Sequence, residues 1–304
     1  MRIAAAGLFL ILATATSAQL PVAPVEPVPS ETIQGRADRD QRLTVPVHLG
    51  GRGPYHFVVD TGSQRSLIAS SVAARLALQP SRNLHIVDMG GRQEVPTAQA
   101  DELGIGKRSY RNLVLPVLED EHLGADGVVG TDNMQGQRVL LDFARNRMQI
   151  GDARALGGNR GYDIVVTARR KSGQLIITEA VIDRVRVSVV VDTGAETSVG
   201  NRALQRALAK RGDTTPVVLV SVTGTQIRAD MGLLRRLDIG TVGISGPLVA
   251  FTDAPVFAAL DLDKKPAMML GMRELRLFRR VALDFGSKRV MFDLPPGVAA
   301  APGL

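Results

Sequence analysis

The sequence predicts an all-β fold built twice in one chain, on three observations. Short runs rich in Val, Ile and Leu are broken by turn residues, with 31 glycines and 16 prolines among 304 residues, the pattern of many short strands. The segment 57–63, Phe-Val-Val-Asp-Thr-Gly-Ser, returns at 189–195 as Val-Val-Val-Asp-Thr-Gly-Ala, an offset of 132. Four further matches follow in the same order: 89–93 with 223–226 and 103–106 with 237–240 at an offset of 134, 126–130 with 267–271 at 141, and 139–143 plus Arg147 with 281–285 plus Arg289 at 142. An offset that grows only by small insertions marks a duplicated domain.

Each copy reads as a small closed β-barrel of five- to seven-residue strands. In the first, 43–49 is a strand, 50–54 a turn, and 55–59 the returning strand. In the second, 175–182 and 185–191 do the same around Asp183-Arg184. A short helix is expected after each Asp-Thr-Gly, at 70–76 and 201–211, and another after Gly130 and Gly271. The predicted organisation is a leader at 1–18, a linker or pro-segment at 19–41, an N-terminal lobe at 42–153, a connection at 154–173, a C-terminal lobe at 174–294 and a tail at 295–304.

Composition narrows the function. At about 150 residues per domain the length allows two domains, and 45% hydrophobic with 22% charged residues is ordinary globular usage. With no cysteine, disulfide scaffolds, thiolate metal sites and thiol nucleophiles are excluded. The chain has no tryptophan and three tyrosines, which argues against base-stacking on single-stranded nucleic acid and against a carbohydrate-binding module. The net charge of +7 is spread over pairs such as Arg169-Arg170 and Arg279-Arg280, a solvated basic surface rather than a polyanion site. No nucleic-acid partner is expected.

Met1-Arg2, an apolar stretch from 3 to 15 and the small residues Thr16-Ser17-Ala18 have the form of an export signal cut before Gln19. Export to the periplasm or the medium is the expectation, with an uncleaved anchor as the alternative. The prolines between Leu20 and Ser30 suit an extended spacer. No later stretch reaches the length of a membrane span.

The chemistry centres on the two Asp-Thr-Gly turns. A carboxylate after three apolar residues is costly inside a sheet, so Asp60 and Asp192 are expected where each strand emerges between the lobes. Gly62 and Gly194 let the chain turn and aim backbone N–H groups at the carboxylate. Thr61 and Thr193 carry hydroxyls able to bond across to the other copy. Ser63 offers Asp60 a hydroxyl that Ala195 cannot offer Asp192, so Asp60 is expected to be the better-stabilised anion.

Over roughly 42–294 the sequence resembles the aspartic peptidases of the pepsin and retropepsin superfamily. One Asp-Thr-Gly stands in each half, Val128-Val129-Gly130 and Met269-Leu270-Gly271 match the apolar segment that crosses beneath each active-site loop, and 190–197 is especially like a retropepsin. It resembles a single-chain, exported, bacterial form. The resemblance implies a two-lobed acid-protease fold with its site in the cleft between lobes. It implies an endopeptidase whose Asp60 and Asp192 share a proton and activate water between them, with no cofactor and no metal. Its implied partner is an extended peptide, and a monomer suffices.

By the same resemblance Met89, Gly90 and Gly91, with Thr223, Gly224 and Thr225, are candidate flap tips; ordinary hairpins are the alternative. Tyr55, Tyr110 and Tyr162 all lie outside them, unlike the pepsin pattern. A catalytically silent peptide-binding or scaffold protein on the same fold is the rival reading. His48, His56, His85 and His122 lack zinc-ligand spacing. Asp142 with Arg147 and Asp284 with Arg289 read as a repeated strand-end ion pair.

Overall fold

The computed structural model describes residues 2–4, 30–208 and 213–298. The leader, residues 19–29 of the linker, the end of the helix expected at 201–211 and residues 299–304 of the tail lie outside the described residues, apart from a strand at Arg2–Ala4 that runs parallel to Val218–Val220.

The fold is two-lobed and mostly β. In the first lobe the strands Leu43–Leu49, Arg52–Val59, Gly127–Val129, Leu67–Ala69, Arg108–Leu118 and Arg92–Ile105 are neighbours in that order. Val47 opposite Ile105 and Leu49 opposite Leu103 close the ring. Its interior holds Val45, Val47, Phe57, Ile68 and Leu103, all fully buried; each such side chain contributes roughly 1.5–3 kcal/mol of transfer free energy.

The second lobe repeats the ring with Gln174–Ile182, Val185–Val191, Ala267–Leu270, Ser198–Gly200 and Leu248–Phe251. The strand that is continuous at Arg92–Ile105 is here split into Gln226–Leu233 and Arg236–Ile239. Asp183 stabilises the break by accepting the Arg235 and Arg236 N–H groups at 3.2 and 2.9 Å.

A six-stranded antiparallel sheet joins the lobes, in the order Ile164–Lys171, Arg289–Asp293, Arg280–Asp284, Arg138–Asp142, Arg147–Gly151, Glu31–Gln34. Leu140 faces Ala282 at its centre, so the internal two-fold relation passes between residues that are also 142 apart in sequence. Ordered structure therefore starts upstream of Arg42, where the sequence reading began the lobe: Glu31–Gln34 is an edge strand of the shared sheet and Arg36–Ala37 pairs with the first barrel.

The strand-end ion pairs are not repeated as expected. Asp142 pairs with Arg147 and Arg145, each at 3.3 Å. Asp284 instead takes buried Arg138 from the other lobe at 2.7 Å; register sets both Arg138 and Arg289 opposite it, but Arg289 is exposed. The helices are short: Ser70–Arg75, Arg202–Leu208, Met272–Leu275 and a 3-10 turn at Thr131–Asn133 after Gly130. No helix among the described residues is long and apolar enough to cross a membrane.

Candidate active site

Each Asp-Thr-Gly loop is held from below by the apolar segment of its own lobe. Gly127–Val129 runs parallel to Phe57–Val59, and the Asp60 N–H donates to the Val129 carbonyl at 3.0 Å. In the second lobe Ala267–Leu270 runs parallel to Ser188–Val191, and the Asp192 N–H donates to the Leu270 carbonyl at 3.0 Å. The glycines that end these segments are a steric requirement. A Cβ on Gly130 would collide with the backbone of Arg65 and Ser66, and one on Gly271 with that of Thr197 and Ser198.

The same crossing exposes residues that sequence reasoning passed over. Ser66 and Ser198 lie six residues after each aspartate, and their hydroxyls accept the Gly130 and Gly271 N–H groups at 3.0 and 2.9 Å. Ser66 in turn donates to Asp132, and Ser198 to Glu274. Burial pushes the Glu274 carboxyl above the usual range. The two serines share the offset of 132 with the aspartates, so the repeat alignment already contained this signal.

The loops interlock across the lobe boundary. Thr61 Oγ1 donates to the Val191 carbonyl at 2.7 Å and Thr193 Oγ1 to the Val59 carbonyl at 2.6 Å. Each threonine hydroxyl also accepts the other's backbone N–H, at 3.1 and 3.3 Å. This clamp brings Asp60 and Asp192, both buried, close together, each carboxylate lying against the glycine of the other loop. A Cβ on Gly62 would strike the Asp192 carboxylate and one on Gly194 the Asp60 carboxylate. Glycine is therefore needed here for close approach.

Within each loop one carboxylate oxygen accepts two backbone N–H groups. Asp60 Oδ1 takes those of Gly62 and Ser63 at 2.7 and 3.0 Å. Asp192 Oδ1 takes those of Gly194 and Ala195 at 3.1 and 3.2 Å. The expected bond from the Ser63 hydroxyl to Asp60 does not form. The hydroxyl is turned the other way and donates to the Arg65 carbonyl at 2.7 Å. Positions 63 and 195 thus serve through their backbones, which any residue supplies.

The electrostatics are unequal all the same. Burial pushes Asp60 up to about 6, against its two backbone donors and the positive charge of Arg42. Asp192 is raised well above the ordinary carboxylate range by burial and by the charge of Asp60, with longer backbone bonds opposing. Its Oδ2 is buried with no hydrogen-bond partner. Two carboxylates in contact cannot both ionise at low cost, so the pair binds a proton well above the pH at which one alone would lose it.

A family profile described as "Aspartyl protease" matches residues 45–133 and 178–273, one match over each lobe and each containing one of the loops just described. The chain belongs to the aspartyl protease family. That membership supports a peptidase-type function in general. No curated protein matches the chain.

The residues named as flap tips sit on the turns of two hairpins. The first joins Pro80–Val87 to Arg92–Ile105 and the second joins Thr214–Val220 to Gln226–Leu233. The turns meet. Thr223 Oγ1 donates to Asp88 Oδ2 at 2.6 Å, while Gln93 Nε2 donates to Thr223 Oγ1 at 2.8 Å and Thr225 Oγ1 at 2.7 Å. Gly90 presses on the Thr225 side chain, and Gly224 on His122 of the first lobe. Met89 is buried among residues of the second lobe, including Val190 and Leu219. Asp88, fully buried, also accepts the Gly90 and Gly91 N–H groups.

Proposed function

We propose that the chain is a single-chain aspartic endopeptidase in which Asp60 and Asp192 are the catalytic pair. The observation that carries this reading is the reciprocal threonine clamp, which sets two buried carboxylates, one from each lobe, against each other. A pure binding protein gains nothing from so costly a like-charge pair.

The ionised carboxylate takes a proton from a water placed between the two, and the oxygen of that water attacks the scissile carbonyl carbon. The protonated carboxyl donates a hydrogen bond to the carbonyl oxygen, which takes up the developing charge. The resulting tetrahedral oxyanion collapses as the carboxyl that took the water proton passes it to the leaving amine nitrogen, and the C–N bond breaks. The pair ends with one proton, as it began. An extended peptide fits the cleft as an added strand against the hairpin edges, which would place Met89, Gly90, Gly91, Thr223, Gly224 and Thr225 over the substrate. The proposed location is outside the cytoplasm, on the strength of residues 1–18.

The test is digestion of an unbiased peptide library by the full chain and by a chain starting at Gln19, from about pH 3.5 to 7.5, beside Asp60→Asn. Cleavage by wild type alone with an acid-side optimum supports the reading. Peptide binding without turnover in either protein favours the silent-binder alternative, and cleavage that survives Asp60→Asn overturns the two-aspartate mechanism.

A further inference from the structure

We infer that Arg42 is a positioning residue that makes the two aspartates unequal, keeping Asp60 as the ionised partner and leaving the shared proton on Asp192. This rests on the two-aspartate reading above.

The argument starts from register. In the first lobe Thr44 pairs with Val58; extended two residues past the ladder, that antiparallel register sets Arg42 opposite Asp60, whose rise the Arg42 charge opposes. In the second lobe Ile176 pairs with Val190, and the same step places Gln174 across from Asp192. Residues opposed in an antiparallel pair share a face, with their Cβ atoms about 5 Å apart. The two copies thus place one side chain each beside the dyad from the same position. One is a cation and the other is neutral.

The threonine clamp, the glycines, the paired backbone donors and the serines beneath are matched between copies. Arg42 and Gln174 differ in charge at the shared register position, and both are buried, at 2% and 0% exposure. A guanidinium stays charged at any working pH, and burial spares its field the screening of water. Arg42 is held in place by Asp38 Oδ2 at 2.7 Å and by the Leu123 carbonyl at 2.8 Å. Gln174 donates its amide to the Gly62 carbonyl, and its Oε1 has no partner.

The charged surroundings are few. Asp60 faces Asp192 across the lobe boundary and Arg42 on one adjoining strand; the other adjoining strand, Gly127–Val129, brings no titratable group. Arg42 is itself faced by Asp38, by Asp40 at 3.6 Å, and by Arg39, whose guanidinium approaches Gly124 beside that of Arg42. Glu196 of the second loop lies within its field, raised by burial and Asp40 against Arg273 and Arg42. Asp38 and Asp40 temper the field of Arg42, but neither occupies the register position opposite the dyad. No cation opposes the rise of Asp192, whereas Arg42 opposes that of Asp60.

The experiment is the pH profile of kcat/KM for wild type, Arg42→Gln, Arg42→Lys and Gln174→Arg on a peptide taken from the library digestion. Removing the cation raises the pKa of the base, so Arg42→Gln should move the acid limb up by about one pH unit. Arg42→Lys, which keeps the charge, should leave that limb near its wild-type position. Gln174→Arg puts a cation opposite Asp192 and should move the alkaline limb down.

An acid limb shared by wild type, Arg42→Gln and Arg42→Lys overturns the inference. So does an equal displacement in both Arg42 variants, which marks a purely structural role. Should Arg42→Gln fail to fold, Gln174→Arg decides: an unmoved alkaline limb overturns the inference. Asp60→Asn separates the two levels. If it still cleaves, the two-aspartate reading falls; if it is inactive while no limb moves, only the role of Arg42 falls.

Discussion

Thr61 and Thr193 hold each other's strands: the hydroxyl of each donates to the carbonyl that precedes the other lobe's aspartate, at 2.7 and 2.6 Å. All four groups of the clamp are buried in the lobe boundary, so none can fall back on water. Thr61→Val keeps the shape and strands the Val191 carbonyl and the Thr193 N–H. Each buried orphan costs about 1–3 kcal/mol. The expected outcome is a lower thermal midpoint and lost cleavage, with Thr61→Ser restoring both. A Thr61→Val protein as stable as wild type would show that the clamp is incidental.

The contribution of the two aspartates to stability should fall as pH rises through the acid range. Burial leads the upward shift of both aspartates, Asp60 to about 6 and Asp192 further. The folded state therefore binds protons that the unfolded state has already released. Where the folded state holds more protons, stability decreases with pH. The penalty is absent below the ordinary aspartate pKa of 3.8 and grows as pH climbs towards and past about 6. Asp192→Asn removes the like-charge contact and should raise the neutral-pH melting temperature while abolishing cleavage. Calorimetry at acid and neutral pH checks the sign.

The Ser63 hydroxyl is bonded to the Arg65 carbonyl and not to Asp60. Ser63→Ala should therefore leave both limbs of the pH–rate profile in place, because the backbone N–H that Asp60 uses remains. A displaced acid limb in this variant would return the hydroxyl to the dyad.

The two hairpin turns are joined by the bonds among Asp88, Gln93, Thr223 and Thr225. Asp88→Asn weakens the acceptor for Thr223 and for the Gly90 and Gly91 N–H groups. Gly90→Ala places a methyl against the Thr225 side chain. Both should speed hydrogen exchange at 88–92 and 221–226 with little change in the barrel strands, since turn contacts break by local opening. Unchanged exchange would mean that the turns are held by the Met89 burial alone.

Much of this protein was legible in its sequence, because the relevant information is local or repeated. The barrel strands follow from apolar runs between turns, the two lobes from ordered internal matches, and the site from an aspartate and glycine that recur after the same apolar run. Even Ser66 and Ser198 could have been read from their shared offset.

What only the tertiary structure decided concerns partners chosen across space. Asp284 pairs with Arg138 and not Arg289, although register sets both opposite it; Arg138 is buried beside it and Arg289 is exposed. Glu31–Gln34 belongs to that sheet, although a four-residue strand beside a proline-rich stretch carries little signal of its own. Ser63 turns away from the aspartate it follows, and Asp88 becomes the acceptor that ties two hairpins together. Arg42 and Gln174, distant in sequence from the aspartates, come to stand beside them by strand register. Periodicity and repetition determine which elements form and how often. Which side chains face one another depends on register and on packing between lobes, and those are set by the whole folded chain.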